Sequence, residues 1–434
     1  MASSKGNIGR GILSLPVIAL TVLSFALGCS EFIVVGILPD IADSLSVEIT
    51  LVGNLVGFFA GVYAVGTPVL AISTARVPKF RLLMILCAVF AGGNVLTALA
   101  PSYEVLMVAR VITASVSGAA CTVSMTFVAD IAAPGARAKV IAFIFAGFSV
   151  ASVLGVPLGT AITQALGWHA AFWAICALLA ATMTVLVRVL PHDPKDDSAA
   201  GDAPKQDAGS PRASGPAAFL LSQLAVFKDA RVRLNALQIL LSMAGLYVYY
   251  TYLNPLLVQV IGVPEAALPL ALAAYGVMAI LSNLSAGVVA DRWGQRALPT
   301  VYGALAALLA ALPATTAAGP VLGVANCLAI GYVTALHNSQ VQVLFMEVAE
   351  ERFPQALNFA SSLNPTFYNI GIAAGSLIGG ALLARIGAYA WLGPAGAVLA
   401  LAACACAVRL SGVVGSGRTE SGGQPRNLEA KEES

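Results

Sequence analysis

The chain has 434 residues, of which 59% are hydrophobic and only 10% are charged. Soluble globular domains carry about 25% charged residues, so this composition excludes an ordinary soluble fold. The net charge of +2 gives no indication of nucleic-acid binding. Apolar runs of 18 or more residues, the length that crosses about 30 Å of hydrocarbon, recur along nearly the whole chain.

These runs predict an all-α integral membrane protein with twelve transmembrane helices, because a lipid-exposed backbone must satisfy its own hydrogen bonds. The first run follows Lys5 and Arg10 and could pass for a signal peptide. It is too long and lacks a small-residue cleavage site, so we interpret it as the first span. The predicted spans are 15–38, 51–73, 82–100, 105–129, 140–162, 168–189, 234–258, 268–290, 298–317, 320–345, 355–384 and 389–409.

The spans divide into two six-helix bundles, which we place at 15–190 and 232–410. Between them, 191–231 contains a stretch rich in Pro, Gly, Ala, Ser and Asp that cannot form a core, and we interpret it as a cytoplasmic linker. Residues 1–14 are predicted to be a cytoplasmic N-terminus and residues 411–434 a disordered cytoplasmic tail.

The distribution of Lys and Arg predicts the orientation. With both termini in the cytoplasm, all 23 basic residues except Arg110 and Arg385 fall at cytoplasmic positions. Such an excess follows the positive-inside rule and supports the even number of spans. The predicted location is the cell inner membrane.

The two halves also resemble each other, as in duplicated transporter folds. Pro39 recurs 216 positions later as Pro255. Three glycines recur 220 positions later: Gly155, Gly159 and Gly167 match Gly375, Gly379 and Gly387. We expect these small residues to allow close approach of helix backbones.

The loop after the eighth span carries a conformational-gate motif. Its residues are Gly287, Asp291, Arg292, Gly294 and Arg296, and the segment resembles the G-x-x-x-D-R-x-G-x-R signature of the major facilitator superfamily. The first-half copy keeps Arg76 but has Ala75 in place of the acid and Pro78 in place of glycine. The resemblance implies two pseudo-symmetric six-helix bundles and a monomer.

Three further segments resemble the twelve-helix drug:proton antiporter family, in its arabinose, purine and chloramphenicol efflux branch. They are the first span around Glu31, the fourth span from Arg110 to Gly118, and the fifth span with Gly147, Gly155, Pro157 and Gly159. The fifth-span segment is a variant of the antiporter motif, with Val156 inserted and Thr160 in place of the last glycine. The resemblance implies export of drug-like, sugar-like or nucleobase-like molecules in exchange for protons.

Glu31 and Arg110 are the only residues well inside the predicted spans that are charged at neutral pH. A charge at the bilayer centre costs roughly 3 kcal/mol on insertion scales, so both are functional candidates. At 1.5 Å per residue, Glu31 lies about 12 Å before Pro39 and Arg110 about 10 Å beyond Tyr103, at similar depth. We predict that Arg110 holds Glu31 ionised and that the two couple transport to protons. A static ion pair and a pair without contact are the alternatives.

The second half lacks these charges and offers polar and aromatic side chains for substrate recognition. The candidates are Tyr247, Tyr249, Tyr250, Tyr252, Asn283, Asn326, His337, Asn364 and Asn369. Two alternatives stay open, because tyrosines near helix ends often form an interfacial belt and a buried histidine is often a hydrogen-bonded packing residue.

Other classes of function are disfavoured by the sequence. No G-x-x-x-x-G-K-[ST] loop occurs, so nucleotide hydrolysis through a P-loop is excluded. The seven cysteines have no metal-ligand spacing, and we expect no metal or cofactor. A membrane-embedded enzyme would need a cluster of catalytic side chains at one depth, which the spans do not offer. An uptake permease or facilitator of the same fold remains an alternative to export.

Overall fold

The computed structural model describes residues 14–74, 77–132, 137–191 and 224–421. Within these ranges the secondary structure is entirely helical. Most of the predicted linker, the N-terminal segment before Ser14, residues 422–434 and the predicted gate residue Arg76 lie outside the described residues.

Twelve long helices account for the architecture. They are α1 (Leu15–Gly36), α2 (Ile49–Ser73), α3 (Lys79–Ala98), α4 (Tyr103–Thr126), α5 (Arg137–Leu166), α6 (Trp168–Val189), α7 (Ala230–Tyr250), α8 (Leu268–Trp293), α9 (Leu298–Ala310, extended by Leu312–Ala318), α10 (Pro320–Val333 and Asn338–Arg352), α11 (Leu357–Ile386) and α12 (Leu392–Ser421). Short helices Leu38–Leu45 and Leu253–Pro255 follow α1 and α7.

The described residues contain 11 stretches long and apolar enough to cross a membrane. One of them, Glu265–Ala310, has 46 residues. A continuous helix of that length would measure about 69 Å, more than twice the hydrocarbon thickness. It divides into α8 and α9 at the 3₁₀ turn Gly294–Ala297, where Gly294 has a φ of 51° that favours glycine. The predicted twelve-helix fold is therefore confirmed.

Most spans differ from their predicted bounds by a few residues, and three differ by more. The α7 helix ends at Tyr250 and the chain continues through a π turn at Leu256–Val260. The α12 helix continues past the predicted boundary at 410 to Ser421. The predicted continuous helix 320–345 is broken after Val333, because the Ala335 amide donates to the Ser282 hydroxyl of α8 at 3.0 Å. A side chain that inserts into the helical hydrogen-bond ladder in this way interrupts it.

Glycines bring α5 against α1 and α11 against α7. A Cβ atom on Gly147 would overlap the carbonyl oxygen of Thr21, and one on Gly159 would overlap the side chain of Ile33. In the second half, a Cβ on Gly375 would overlap the carbonyl oxygen of Ala244. Two of the three glycine pairs that the sequence matched, Gly155 with Gly375 and Gly159 with Gly379, thus make equivalent helix contacts, as small-residue packing requires. Gly167 and Gly387 instead have positive φ values of 83° and 66°, and a Cβ on either would meet nothing within 4 Å, so the expected close approach is wrong for this pair.

Replacement of Gly147 by alanine should separate α1 from α5 and destabilise the fold, because the new methyl group meets a backbone carbonyl that cannot rotate away. Overpacking of this kind costs about 1–3 kcal/mol. The matched control is Gly92→Ala in α3, where a Cβ meets nothing within 4 Å. Alanine there should be neutral or stabilise by up to about 1 kcal/mol. Thermal unfolding of the purified protein in detergent compares the two, and equal melting temperatures would contradict the packing argument.

Candidate functional site

A cavity of about 650 Å³ lies between the two bundles. Both halves of the chain contribute to its wall. The lining residues are Glu31, Phe32, Tyr63, Cys121, Phe145, Phe148, Ser149, Ser152, Asn283, Asn338, Ser339, Gln342, Val343, Asn364, Pro365, Tyr368 and Asn369. The wall thus combines aromatic rings, side-chain amides and a single carboxylate, which is the composition expected of a small-molecule site.

The lining residues indicate where the cavity lies along the helices. All of those on α11 and most of those on α5 fall in the first half of each helix, and those on α10 fall in the segment after the break. These helix ends share the face of the membrane on which α1 begins, because successive helices run in alternate directions. The cavity therefore lies towards the face that carries the N-terminal end of α1.

Contacts between the bundles close the opposite face. The side-chain amide of Asn254 donates to the carbonyl of Gly36, and that of Gln164 donates to the carbonyl of Glu265 at 2.6 Å. Burial is the main reason that the pKa of Asp40, near this contact, is raised above its ordinary value, and the neighbouring Asp43 and Glu265 carboxylates raise it further. The molecule is thus closed on one side of the membrane and hollow on the other.

Arg110 is buried between α1 and α2, with 1% of its surface exposed. Its Nη1 donates to the carbonyl of Ser30 at 2.7 Å and to the Ser30 hydroxyl at 3.3 Å, and its Nη2 donates to the carbonyl of Glu31 at 3.5 Å. The guanidinium carbon lies 4.2 Å from the centroid of the Phe59 ring. The Ser30 hydroxyl in turn donates to Asn94 at 2.8 Å, which fixes this part of α1 against α3.

This geometry corrects the expectation that Glu31 and Arg110 form an ion pair. The two residues lie at one depth, as counting predicted, and are adjacent, as the family resemblance implied. No salt bridge joins them in the part of the chain that the structure describes. The guanidinium instead binds backbone carbonyls of α1. Within the described residues, the buried Glu31 Oε2 atom has no hydrogen-bond partner. Glu31 lines the main cavity and a small space beside it that Tyr247 also lines.

Three of the nine predicted recognition residues line the cavity: Asn283, Asn364 and Asn369. The other six are buried outside it. Tyr249, Tyr250 and Tyr252 are buried, Asn326 donates to the Leu308 carbonyl at 3.1 Å, and the buried His337 ring lies 5.4 Å from the Tyr302 ring. Tyr247 is buried in the wall of the adjoining small space.

Sequence reasoning missed the tyrosines that do line the cavity, Tyr63 and Tyr368. Tyr368 follows Asn364 by four residues, so the two share one face of α11. That spacing is the signal that could have identified it once Asn364 was a candidate. Tyr63 has no comparable signal in the sequence.

The predicted gate residues Asp291, Arg292 and Arg296 are exposed at the turn between α8 and α9. None of them forms a salt bridge with another described residue. A Cβ on Gly287 meets nothing within 4 Å, so no close approach explains this glycine. Of the predicted antiporter residues, Gly155 contacts Cys29 of α1 and Pro157 lies inside α5.

The model of the Major Facilitator Superfamily matches residues 20–356. The chain belongs to this superfamily. Among its relatives, the uncharacterized MFS-type transporter YtbD of Bacillus subtilis is 32% identical over 394 residues, covering 90% of this chain and 93% of the relative. The inner membrane transport protein YdhP of Escherichia coli K12 is 28% identical, covering 89% and 94%. The protein is therefore a multi-pass membrane transporter.

Solved structures share the fold. The nucleoside transporter NupG superposes with a TM-score of 0.70 at 16% identity, covering 91% of this chain and 98% of its own. A bacterial homologue of the human lysosomal transporter Spinster, in an inward-facing and unoccupied conformation, gives a TM-score of 0.65 at 15% identity, covering 91% and 94%. At these identities the likeness concerns the fold alone.

The open face can be tested with a single cysteine. Ser149 is an exposed residue in the cavity wall, whereas Ser24 is fully buried in α1. With the predicted orientation, Ser149→Cys should react with a membrane-impermeant maleimide in inside-out vesicles and much more slowly in right-side-out vesicles. In both vesicle preparations, Ser24→Cys should show no more maleimide labelling than the protein that carries only its native cysteines. Faster labelling of Ser149→Cys in right-side-out vesicles would reverse the assignment of the open face.

Proposed function

We propose that the protein is a secondary active transporter that exports small amphipathic molecules across the cytoplasmic membrane in exchange for protons, by alternating access. Drug-like, sugar-like and nucleobase-like molecules are the candidate substrates. The proposal places both termini in the cytoplasm, so that the cavity faces inward. It describes a single chain as the working unit.

The observation that carries the proposal is the environment of Glu31. This residue is the single acidic side chain in the cavity wall, and its Oε2 atom is buried without a hydrogen-bond partner among the described residues. An ionisable group in this position is expensive to keep charged in a membrane and therefore responds to changes in hydration and in nearby charge. Arg110 lies behind it and binds the same turn of α1.

In the proposed exchange, Glu31 takes up a proton when the cavity faces outward and releases it when the cavity faces inward and is hydrated. Bound substrate and the bound proton compete, because both change the hydration and the free energy of closing of the same cavity. A proton that moves inward across the potential contributes about 2.3 kcal/mol per 100 mV, which drives substrate the other way. Arg110 supplies a fixed positive charge that favours release of the proton.

The side chains that line the cavity also indicate the chemical class of the substrate. Phe145, Phe148 and Tyr368 offer ring faces, while Asn283 and Asn369 offer amide donors and acceptors. None of the described lining residues is basic, so the wall offers no partner for an anionic substrate. Neutral or cationic amphipathic molecules fit this chemistry best, since aromatic faces attract cations.

The export direction rests on the resemblance of α5 to the antiporter motif. An uptake permease or facilitator is the second candidate, and Thr160 is the observation that favours it. This residue replaces the last glycine of the motif, and its hydroxyl donates to the Gly36 carbonyl at 3.1 Å, which ties α5 to α1 at the closed face.

The test measures proton movement in inside-out vesicles whose lumen is acidic, with amphipathic antibiotics, nucleobases and sugars as the panel. A substrate should evoke proton release from the lumen with the wild type. Glu31→Gln should reduce this release to background, because the amide has the same size but cannot titrate.

The matched control is Glu104→Gln. Glu104 is an exposed carboxylate in the first turn of α4, so its neutralisation should leave the proton signal intact. Substrate transport by Glu31→Gln at wild-type rate, with no proton signal in either protein, would overturn antiport and favour the facilitator. Equal loss in Glu104→Gln would show that the effect is not specific to the cavity.

A further inference from the structure

A second concave surface lies between α7 and α12 of the C-terminal bundle. The two backbones touch where α7 approaches its C-terminal end and α12 begins, since a Cβ on Gly245 would lie 2.6 Å from the carbonyl oxygen of Gly396. Towards the α7 N-terminus they enclose a groove of about 570 Å³. It is lined by Ala230, Arg233, Leu234, Leu237, Arg409, Gly412 and Val413.

The groove has a charged part and an apolar part. Arg233 and Arg409, one from each helix, provide the charge, and Leu237 and Val413 are 44% and 40% exposed. Large exposed apolar side chains at the end of a spanning helix lie against lipid chains. Arginines at that level extend to the headgroup region.

The positive charge of the groove is not neutralised within the described residues. Nearby Arg231 is paired with Asp229 and Glu351, at 3.1 and 2.9 Å, and Arg352 is paired with Asp229 at 3.2 Å. The neighbouring carboxylates of Asp229 and Glu351 are therefore already engaged.

Arg233 and Arg409 form no salt bridge with any described residue. One nitrogen of Arg233, Nη1, donates to the carbonyls of Phe227 and Lys228 at 2.8 Å each. These bonds hold the guanidinium at the mouth of the groove and leave its charge uncompensated.

We propose that this groove binds one anionic phospholipid, with the phosphate between Arg233 and Arg409 and an acyl chain along Leu234, Leu237 and Val413. Basic pockets between spanning helices on the cytoplasmic side are suited to anionic headgroups. The paired charge and apolar surface require a ligand that carries both, which a soluble phosphate does not. The site is separate from the transport cavity, with which it shares no lining residue.

The repeat supplies a matched control. Arg188 lies in the last turn of α6, the counterpart of α12 in the first bundle. Val17, which lies 216 positions before Arg233, is fully buried and uncharged. Arg188 is thus present at the same membrane face, and the described part of α1 has no arginine at the position equivalent to Arg233.

The experiment titrates the purified full-length protein in neutral detergent with phosphatidylglycerol or phosphatidylcholine and counts bound lipid by native mass spectrometry. The wild type should retain one phosphatidylglycerol in preference to phosphatidylcholine. Arg409→Gln should weaken that binding about five-fold, which is the change expected for about 1 kcal/mol per basic residue. Arg409→Lys should keep most of it, and Arg188→Gln should keep all of it.

Three results would overturn the proposal. The first is equal phosphatidylglycerol binding by Arg409→Gln and the wild type, as expected if another segment of the chain covers the groove. The second is equal retention of both lipids by the wild type. The third is displacement of the lipid by millimolar inorganic phosphate, which would identify an anion site that does not need the acyl chain. Melting temperatures without lipid confirm that Arg409→Gln is folded.

Discussion

The structure depends on how one buried guanidinium is satisfied without water. A charge taken out of water is costly unless its hydrogen-bonding groups find partners. The two terminal nitrogens of Arg110 find them in the backbone carbonyls of Ser30 and Glu31, and the Phe59 ring faces the guanidinium, while Nε has no hydrogen-bond partner among the described residues. These partners are neutral, and the guanidinium forms no salt bridge with the neighbouring Glu31 carboxylate. The Glu31 side chain is left to line the cavity.

The position of that turn of α1 is fixed from two other sides. Ser30 donates to Asn94 on α3, and Gly155 of α5 lets the two backbones approach beside this turn, where a Cβ would lie 3.3 Å from the Cys29 Cα atom. Glu31 therefore lies on a helix whose place is set by a hydrogen bond and by close packing. In the proposed exchange, protonation changes the charge of a group that cannot easily move away. The change in charge therefore alters the free energy of hydrating the cavity and of moving the two bundles against each other. A static ion pair would have buried the same charge without exposing it to substrate.

Much of the fold could be predicted because the lengths of the spans, the distribution of Lys and Arg among the loops and the internal repeat can all be read along the sequence. The shared depth of Glu31 and Arg110 followed from counting residues, and their adjacency followed from the resemblance, which implies that the first and fourth spans both line the central cavity. Which atoms meet did not, because depth says nothing about helix rotation. For the same reason Tyr249 and Tyr252 were predicted to contact substrate, whereas Tyr249 on α7 and Tyr252 just beyond the end of α7 are both buried away from the cavity. The break in α10 depends on Ser282 of another helix and has no local signal.

The two halves carry different chemistry on one architecture. Equivalent glycines pack α5 on α1 and α11 on α7, so the duplicated backbone is preserved. The carboxylate at the cavity comes from the first half, while the amides of Asn283, Asn364 and Asn369 come from the second. A proton on Glu31 therefore alters one wall, and a substrate held by the amides occupies the other. In the proposed mechanism the two ligands communicate across the space between the bundles, the same space that must close when the molecule turns to the opposite face. Coupling then requires no direct contact between proton and substrate, only that both change the free energy of closing this one cavity.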